Sequence, residues 1–247
     1  MYLTLQGLVL RVTDYNDRDA LLTLLTPNHG KLTVKARGLR RKNSPLIAPC
    51  QLLAYGEFTL FEHRGYYTVN EAHSLELFQN LRRDLVKLSL GTYFAQVAEL
   101  VCQEDLPNPE LLSLVLNCLY ALSRLDAPES KVKAVFELRV ACLAGYEPDL
   151  TGCHVCGRGE PDRFDVSAGC LECRDHRDPM SDGLRLPVSP GTRDAMRYIV
   201  CCQPRRLFAF QAGEQTLEQL AQVTETYLTT QLERGFSTLD FYKSLLI

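Results

Sequence analysis

Two cysteine pairs in the second half of the chain have the spacing of metal ligands. Cys153 and Cys156 form one C-x2-C pair, and after thirteen intervening residues Cys170 and Cys173 form a second. Each pair can form a tight turn that presents two thiolates, and two such turns complete a tetrahedron around a d10 ion. We therefore predict one structural Zn2+ site with the ligands Cys153, Cys156, Cys170 and Cys173.

Other states of these four cysteines remain open from the sequence. They could form two disulfides, remain free thiols or bind an iron–sulfur cluster. His154 and His176 could each replace a cysteine, but four thiols already complete the shell. A closed shell leaves no open position for water, so the predicted site is structural and does not support hydrolysis. The segment between the pairs has few hydrophobic residues, which predicts that the metal supplies its stability.

A run of cations near the N-terminus is the second feature with possible chemistry. Six basic residues fall between positions 31 and 42, with no acidic residue among them. Some of them alternate along a predicted strand and the others lie in a loop, a combination that can follow a phosphate backbone. The predicted DNA contacts are Lys31, Lys35, Arg37, Arg40, Arg41 and Lys42. A solvated loop that only keeps the protein soluble is the alternative.

The N-terminal 80 residues are predicted to form a small β-barrel. Leu22–Thr26 is followed by a Pro-Asn-His-Gly turn, and Lys31–Arg37 alternates apolar and polar residues with the period of a strand. Further predicted strands at Leu52–Phe61 and Tyr66–Asn70 flank a turn that ends in glycine. Several short strands with turn signals in so few residues are typical of a small barrel.

Helical periodicity replaces this pattern after residue 80. Helices are predicted over Asp84–Val101, Glu110–Leu125, Lys131–Ala144 and Glu214–Glu233, and Ser189 followed by Pro190 is typical of a helix start. The predicted fold class is multidomain β + α. Its parts are an N-terminal β-barrel (1–80), a helical domain (81–150 and 184–247) and a small four-cysteine insert (151–183).

Composition and charge narrow the class of protein. Residues 1–83 hold 11 Lys and Arg against 7 Asp and Glu, whereas the whole chain has a net charge of −3. A basic N-terminal part followed by an acidic remainder indicates that an anionic partner would bind the N-terminal part. The sequence shows no export signal and no membrane-spanning stretch, which predicts a soluble, cytoplasmic protein. No phosphate-binding loop, zinc-protease or serine-hydrolase motif is found, so catalysis is not predicted.

Three segments of the chain resemble the RecO family. Asp17–Thr26, with the following His29-Gly30-Lys31 and Ala36-Arg37-Gly38, is similar to the N-terminal domain of RecO proteins. Glu147–Cys153 resembles the entry to their cysteine module, and Leu186–Thr192 resembles the return to their helical domain. The resemblance covers essentially the whole chain and implies an OB-fold, a helical domain and a zinc-finger-like insert.

The resemblance also implies a function. RecO proteins bind single- and double-stranded DNA, anneal complementary strands and, together with RecR, help to load recombinase onto strands coated by single-stranded-DNA-binding protein. For this chain, the resemblance implies that the basic residues between positions 31 and 42 contact DNA. It also implies a cytoplasmic, nucleoid-associated protein. Some members of the family lack the four cysteines, so the metal would not be the core of the shared activity.

Other functions are compatible with the same residues. A non-catalytic protein-interaction adaptor with a structural zinc site would bind DNA negligibly and without salt dependence. An enzyme would need a cleft of perturbed carboxylates, and an RNA-binding zinc protein would prefer RNA over DNA of equal length.

Overall fold

A computed structural model describes residues 1–125, 127–157, 160–176 and 183–246. The chain divides into two compact units, one made of Met1–Leu125 with Phe236–Ile247 and the other of Asp126–Gly235. The second unit is therefore inserted into the first, and the last helix of the chain belongs to the first unit.

The first unit begins with a closed barrel of five strands. They are β1 (Tyr2–Asp14), β2 (Ala20–Thr26), β3 (Gly30–Ala36), β4 (Tyr55–His63) and β5 (Tyr66–Glu76). Their order around the barrel is β1-β2-β3-β5-β4, and all pairs are antiparallel except β3 and β5. The parallel pair Val34–Tyr67 and Lys35–Thr68 closes the barrel. This arrangement confirms the predicted OB-like fold.

Side chains along β3 alternate between the barrel core and the outer surface, as the sequence pattern predicts. Leu32, Val34 and Ala36 are buried in the barrel core, while Lys31, Thr33 and Lys35 lie outside it. The strand ends where the basic run leaves the barrel as a series of turns.

Three helices follow the barrel in the first unit, and a fourth returns to it from the end of the chain. They are α1 (Gln79–Arg82), α2 (Leu85–Val101), α3 (Pro109–Arg124) and the C-terminal α7 (Ser237–Ser244). The Asp84 side chain caps α2 by accepting from the Lys87 backbone N–H, and Asn108 caps α3 in the same way. Tyr93 on α2 is fully buried and makes an edge-on ring contact with Phe236, which precedes α7.

The second unit combines three helices with a small sheet. The helices are α4 (Glu129–Leu143), α5 (Pro190–Cys201) and α6 (Glu214–Gln231). The strands are β6 (Asp149–Cys153), β7 (Arg163–Asp165), β8 (Cys170–Glu172) and β9 (Arg185–Pro187), in the order β6-β8-β7-β9. Ser189 caps α5 as predicted, by accepting from the Thr192 N–H.

The small sheet has an apolar core, although the segment that forms it has few hydrophobic residues. Phe164, Val166 and Leu171 are completely buried, and the Phe164 ring contacts the Tyr227 ring of α6 edge-on at 5.2 Å. This apolar core would add to the stability that a bound metal supplies, and the metal's contribution stays a prediction. The sheet extends from Asp149 to Pro187. The predicted domain boundaries at 80, 150 and 183 stay a prediction.

Candidate nucleic-acid interface and metal centre

The predicted DNA-contact residues lie on the outside of the barrel and on the loop that follows β3. Lys35 projects from β3. Arg37, Arg40, Arg41 and Lys42 follow on turns that are tied together by backbone hydrogen bonds, among them Arg41 N–H to Gly38 C=O at 3.1 Å. The loop is also attached to the β1–β2 connection, because the Arg40 N–H donates to the Arg18 carbonyl.

Lys35 takes part in the contacts that hold the base of this loop. Its Nζ lies 3.1 Å from Asp19 Oδ2 and 4.4 Å from the centroid of the Tyr15 ring. Asp19 also accepts from the Gly38 N–H at 2.9 Å and from Asn16. These donors, the Gly38 amide first, then Lys35 and Asn16, lower the pKa of Asp19 to about 2. Asp19 therefore stays ionised and positions the loop.

The other cations of the run differ in how free they are to bind phosphate. The Arg40 guanidinium pairs with Asp14 at 2.8 Å, and both side chains are largely exposed. The Arg41 guanidinium lies close to Gly38. Arg37 and Lys42 are exposed, and no ion pair links either of them to another described residue. Among the cations that follow β3, Arg37, Arg41 and Lys42 are thus the ones without an ion pair to an acidic side chain in the described part of the chain.

Lys31 has a different environment from the rest of the run. Its Nζ donates to the Glu99 backbone carbonyl in the last turn of α2 at 3.2 Å, and its backbone N–H donates to the Gln103 carbonyl. A cation at a helix C-terminus satisfies carbonyls that have no partner within the helix. These contacts attach the start of β3 to the end of α2.

The second candidate site is a group of four metal-type ligands on the small sheet. Cys153, Cys156, Cys173 and His176 place one ligand atom each within 4.8 Å of one another. Cys156 Sγ lies 3.9 Å from Cys173 Sγ, and Cys153 Sγ lies 3.9 Å from His176 Nδ1. Tetrahedral zinc with its usual bond lengths needs separations of about 3.8 Å between two sulfurs and about 3.6 Å between sulfur and nitrogen. The donor set and its spacing therefore fit a zinc ion.

Strand pairing explains how these ligands come together. Cys153 ends β6 and Cys173 directly follows β8, and these two strands are neighbours in the sheet. After Cys153 the chain turns at once, and Gly157, in the left-handed region with φ +68°, closes the turn by donating to the Cys153 carbonyl at 2.8 Å. His176 closes a similar turn, because its N–H donates to the Cys173 carbonyl.

The hydrogen bonds around Cys153 favour its thiolate. Burial raises the pKa of this thiol, but the backbone N–H groups of Cys156, Cys173 and Val155 donate to the sulfur and outweigh that effect, so the pKa is lowered overall. The Cys173 N–H reaches Cys153 Sγ at 3.3 Å. A thiolate held by backbone donors is the form that binds metal.

The structure differs from the sequence-based ligand set at one position. Cys170 is buried in β8, where it pairs with Asp165 and Asp149, and it is not one of the four grouped ligands. Residues three apart along a strand point to opposite faces, so strand pairing at Cys170 separates it from Cys173. His176 lies in the group instead, although four thiols would complete the predicted shell without it. The signal for it was the repeat of the two-residue spacing in Cys173-x2-His176.

A buried charge cluster supports the sheet beside the metal-type ligands. The Arg185 guanidinium lies 2.8 Å from Glu172 Oε2 and 3.3 Å from Asp165 Oδ2, and all three side chains are buried. Asp165 also accepts from the backbone N–H groups of Ser167 and Ala168. Arg185 thereby joins three neighbouring strands, β8, β7 and its own β9.

The remaining six cysteines are all free thiols. Cys50, Cys102 and Cys118 are buried, as is common for cysteines that act as small hydrophobic residues, whereas Cys201 is exposed. Across the residues that the structure describes, no helix has the length and apolar character needed to cross a bilayer.

The closed OB-like barrel, the helices that follow it and the Cys3His group define a mixed β + α protein with a candidate metal site. Two family models match the chain: "Recombination protein O N terminal" over residues 1–78 and "Recombination protein O C terminal" over residues 82–240. The chain therefore belongs to the RecO family.

Relatives with the curated name "DNA repair protein RecO" align over nearly the whole chain. The one from Acetivibrio thermocellus is 34% identical, over 99% of this chain and 97% of the relative. The one from Alkaliphilus metalliredigens is 29% identical, over 99% and 100%, and the one from Bacillus subtilis is 29% identical, over 90% and 86%.

Proposed function

We propose that this chain is a recombination mediator in DNA repair that binds single- and double-stranded DNA and anneals complementary strands. With RecR, it would help to load recombinase onto strands coated by single-stranded-DNA-binding protein. The observation that carries the proposal is the row of outward cations on an OB-like barrel, which continues into a loop where Arg37, Arg41 and Lys42 have no ion pair with a described residue. The family and the names of its relatives agree with it.

Annealing on such a surface needs no covalent chemistry. Cations that neutralise the phosphates of two strands at once raise their local concentration and reduce their repulsion, so that pairing accelerates. The neutralisation releases counterions, and binding should therefore weaken steeply with salt. The proposed activity breaks no bond and uses no nucleotide, so we do not propose an enzyme.

The contacts of each cation predict its share in binding. Arg37, Arg41 and Lys42 are available for phosphate, whereas Lys35 and Arg40 must exchange a carboxylate for it. Lys31 is proposed as a contact that has mainly a structural role, because its ammonium already caps α2. All six remain in the proposed interface, with unequal contributions.

The proposed metal is one structural Zn2+, held by Cys153, Cys156, Cys173 and His176. When bound, zinc would supply a cross-link between the two turns and no reactive water, because four protein ligands close the shell. The chain's own groups orient the ligands, through backbone donors to Cys153 and the paired strands β6 and β8. Cys170 is a buried neighbour of this site and not one of its proposed ligands.

The decisive experiment is annealing of complementary oligonucleotides without nucleotide across a salt series. The test variant is Arg37→Glu/Arg41→Glu/Lys42→Glu. The control is Arg205→Glu/Arg206→Glu/Arg234→Glu, which makes the same charge change at exposed residues of the second unit. We expect the wild-type protein to accelerate annealing, the test variant to lose both annealing and DNA affinity, and the control to keep most of both.

Two outcomes would contradict the proposal at different levels. Equal losses in both variants would show that net charge, and not the barrel loop, carries DNA binding. Negligible and salt-insensitive DNA binding by the wild-type protein would instead favour the protein-interaction adaptor.

A further inference from the structure

One row of outward side chains crosses four strands of the barrel. Lys35 on β3 is opposite Thr68 on β5, Thr68 is opposite Phe61 on β4, and Phe61 is opposite Tyr2 on β1. Residues directly opposite each other in a sheet share a face. The row therefore joins a basic residue to two aromatic residues across three strand spacings, roughly 14 Å.

The aromatic end of the row is exposed. Tyr2 is 62% and Phe61 41% accessible to solvent. Their ring centroids are 5.4 Å apart, and on its other side Phe61 lies nearly parallel to the His63 ring, with an interplanar angle of 8° and 6.3 Å between centroids. We call Tyr2, Phe61 and His63 the aromatic platform. Tyr66, opposite His63 in the hairpin, is 79% exposed and extends it.

Charges around the platform favour an anionic occupant on one side. Lys35 lies at one end of the row, and Arg64 is exposed in the β4–β5 turn with no ion pair to a described residue. In the next outward row, Thr4 and Thr59 are opposite each other and Glu71 follows on β5. The acidic residue bounds the surface on that side, so a phosphate backbone would follow the side of Lys35 and Arg64.

We infer that the aromatic platform stacks unpaired bases of single-stranded DNA whose phosphates are held by Lys35, Arg64 and the loop after β3. The inference rests on the proposed function and specifies one part of its interface. Bases offer their flat faces only when they are unstacked from a duplex, and exposed rings beside a basic groove are suited to them. A strand held by its backbone alone would give the rings no such role.

The absence of tryptophan from the chain gives a direct reporter. Phe61→Trp preserves a stacking ring and introduces the only tryptophan. We expect oligo(dT) to quench its fluorescence, and a fully abasic oligonucleotide of equal length to bind with little quenching. Binding of oligo(dT) without quenching would overturn the inference, because stacked bases must change the surroundings of the indole.

Truncated variants test the energetic contribution of the platform. Tyr2→Ala and Phe61→Ala should each lower the affinity for oligo(dT) by about fivefold or more, since one base–aromatic stack contributes about 1 kcal/mol or more. The affinity for the abasic strand and the salt slope should not change. Phe61→Leu keeps an apolar side chain but has no π-face, so it separates loss of stacking from a folding defect. Tyr120→Ala removes a ring on α3 whose exposure lies between those of Tyr2 and Phe61, and it should have no effect.

The inference and the proposed function fail in distinguishable ways. If the wild-type protein binds neither strand, the proposed DNA-binding function is wrong. If it binds both strands with salt dependence, and the platform variants match the wild type on both, only the stacking role is wrong. Equal losses on base-bearing and abasic strands would also reject stacking, because the rings would then act through the fold of the barrel.

Discussion

The Lys35 ammonium is held between the Asp19 carboxylate, 3.1 Å away, and the face of the Tyr15 ring, 4.4 Å from its centroid. Because Asp19 also accepts from the Gly38 N–H, one carboxylate connects the β1–β2 loop, β3 and the base of the basic loop. A phosphate that binds Lys35 must compete with Asp19. DNA binding is therefore linked to the contact that positions the loop.

Asp19→Asn should destabilise the protein in a pH-dependent way. The pKa of Asp19 is about 2 in the folded chain, against an ordinary value of about 3.9 in an unfolded one. A carboxyl whose pKa is depressed by folding stabilises the folded state above its unfolded pKa, and this contribution is lost as pH falls through the folded pKa. Urea unfolding should show a deficit for the variant at pH 7 that shrinks between about pH 4 and about pH 2. Asp17→Asn, an exposed neighbour, is the control. A deficit that does not change with pH would show that the ionised carboxylate is not responsible.

Asp14→Asn should strengthen DNA binding. The change removes the carboxylate that pairs with Arg40 at 2.8 Å and frees the guanidinium for phosphate. We expect higher affinity at moderate salt and a salt slope steeper by up to about 0.9, the value for one additional phosphate contact. The gain should vanish when Arg40→Gln is added, as a double-mutant cycle would measure. A gain that persists without Arg40 would assign the effect to net charge alone.

Metal binding should distinguish His176 from Cys170. We expect purified protein to hold about one zinc per chain, and both His176→Ala and Cys173→Ser to lose zinc to a chelator far more readily. Cys170→Ala should retain stoichiometric zinc, because Cys170 lies outside the ligand group. Metal analysis and the spectrum of the Co2+-substituted protein can check both points. Loss of zinc in Cys170→Ala with retention in His176→Ala would restore the four-cysteine site predicted from the sequence.

Arg185→Met should be strongly destabilising. The guanidinium neutralises Asp165 and Glu172, which are both buried, and its loss leaves two carboxylates without their shared cation. Removing one partner of a buried ion pair lowers the free energy of unfolding by about 3–5 kcal/mol. Chemical denaturation should show this loss, while Arg163→Met on the adjacent β7, which has no ion pair with a described residue, should cost much less. A change below about 1 kcal/mol would mean that water or a rearranged side chain compensates the acids.

The barrel was predictable from sequence where its strands alternate cleanly, and less so where they do not. Lys31–Arg37 has one buried and one solvated face, so its period of two predicted β3 closely. The long strand β1 was not predicted. Burial alternates over residues 2–6, but residues 7–10 are all buried and the register shifts between Val9 and Arg11, so the alternation does not continue along the strand. Contacts such as Val9 with the loop at Ala54 are long-range and leave no local signal.

The candidate sites show the same limit. Spacing alone identified three of the four grouped metal-type ligands, because C-x2-C turns are local. It could not show that Cys170 would pair in a strand, since that pairing depends on β6 and β7. The basic run was evident in the sequence, but the acidic partners of its cations were not. Lys35 pairs with Asp19 in the β1–β2 loop and Arg40 pairs with Asp14 at the end of β1, and both acids are distant in sequence from the run.

The insertion of the second unit within the first has a consequence for synthesis. Tyr93 on α2 packs edge-on against Phe236, so the helices of the first unit lack part of their core until Phe236 and α7 have left the ribosome. Domains usually mature in the order in which they are translated. Here the inserted unit is complete first, and the unit that carries the barrel is completed last. Premature termination shortly before Phe236 would thus release a chain that contains the whole second unit but only part of the first.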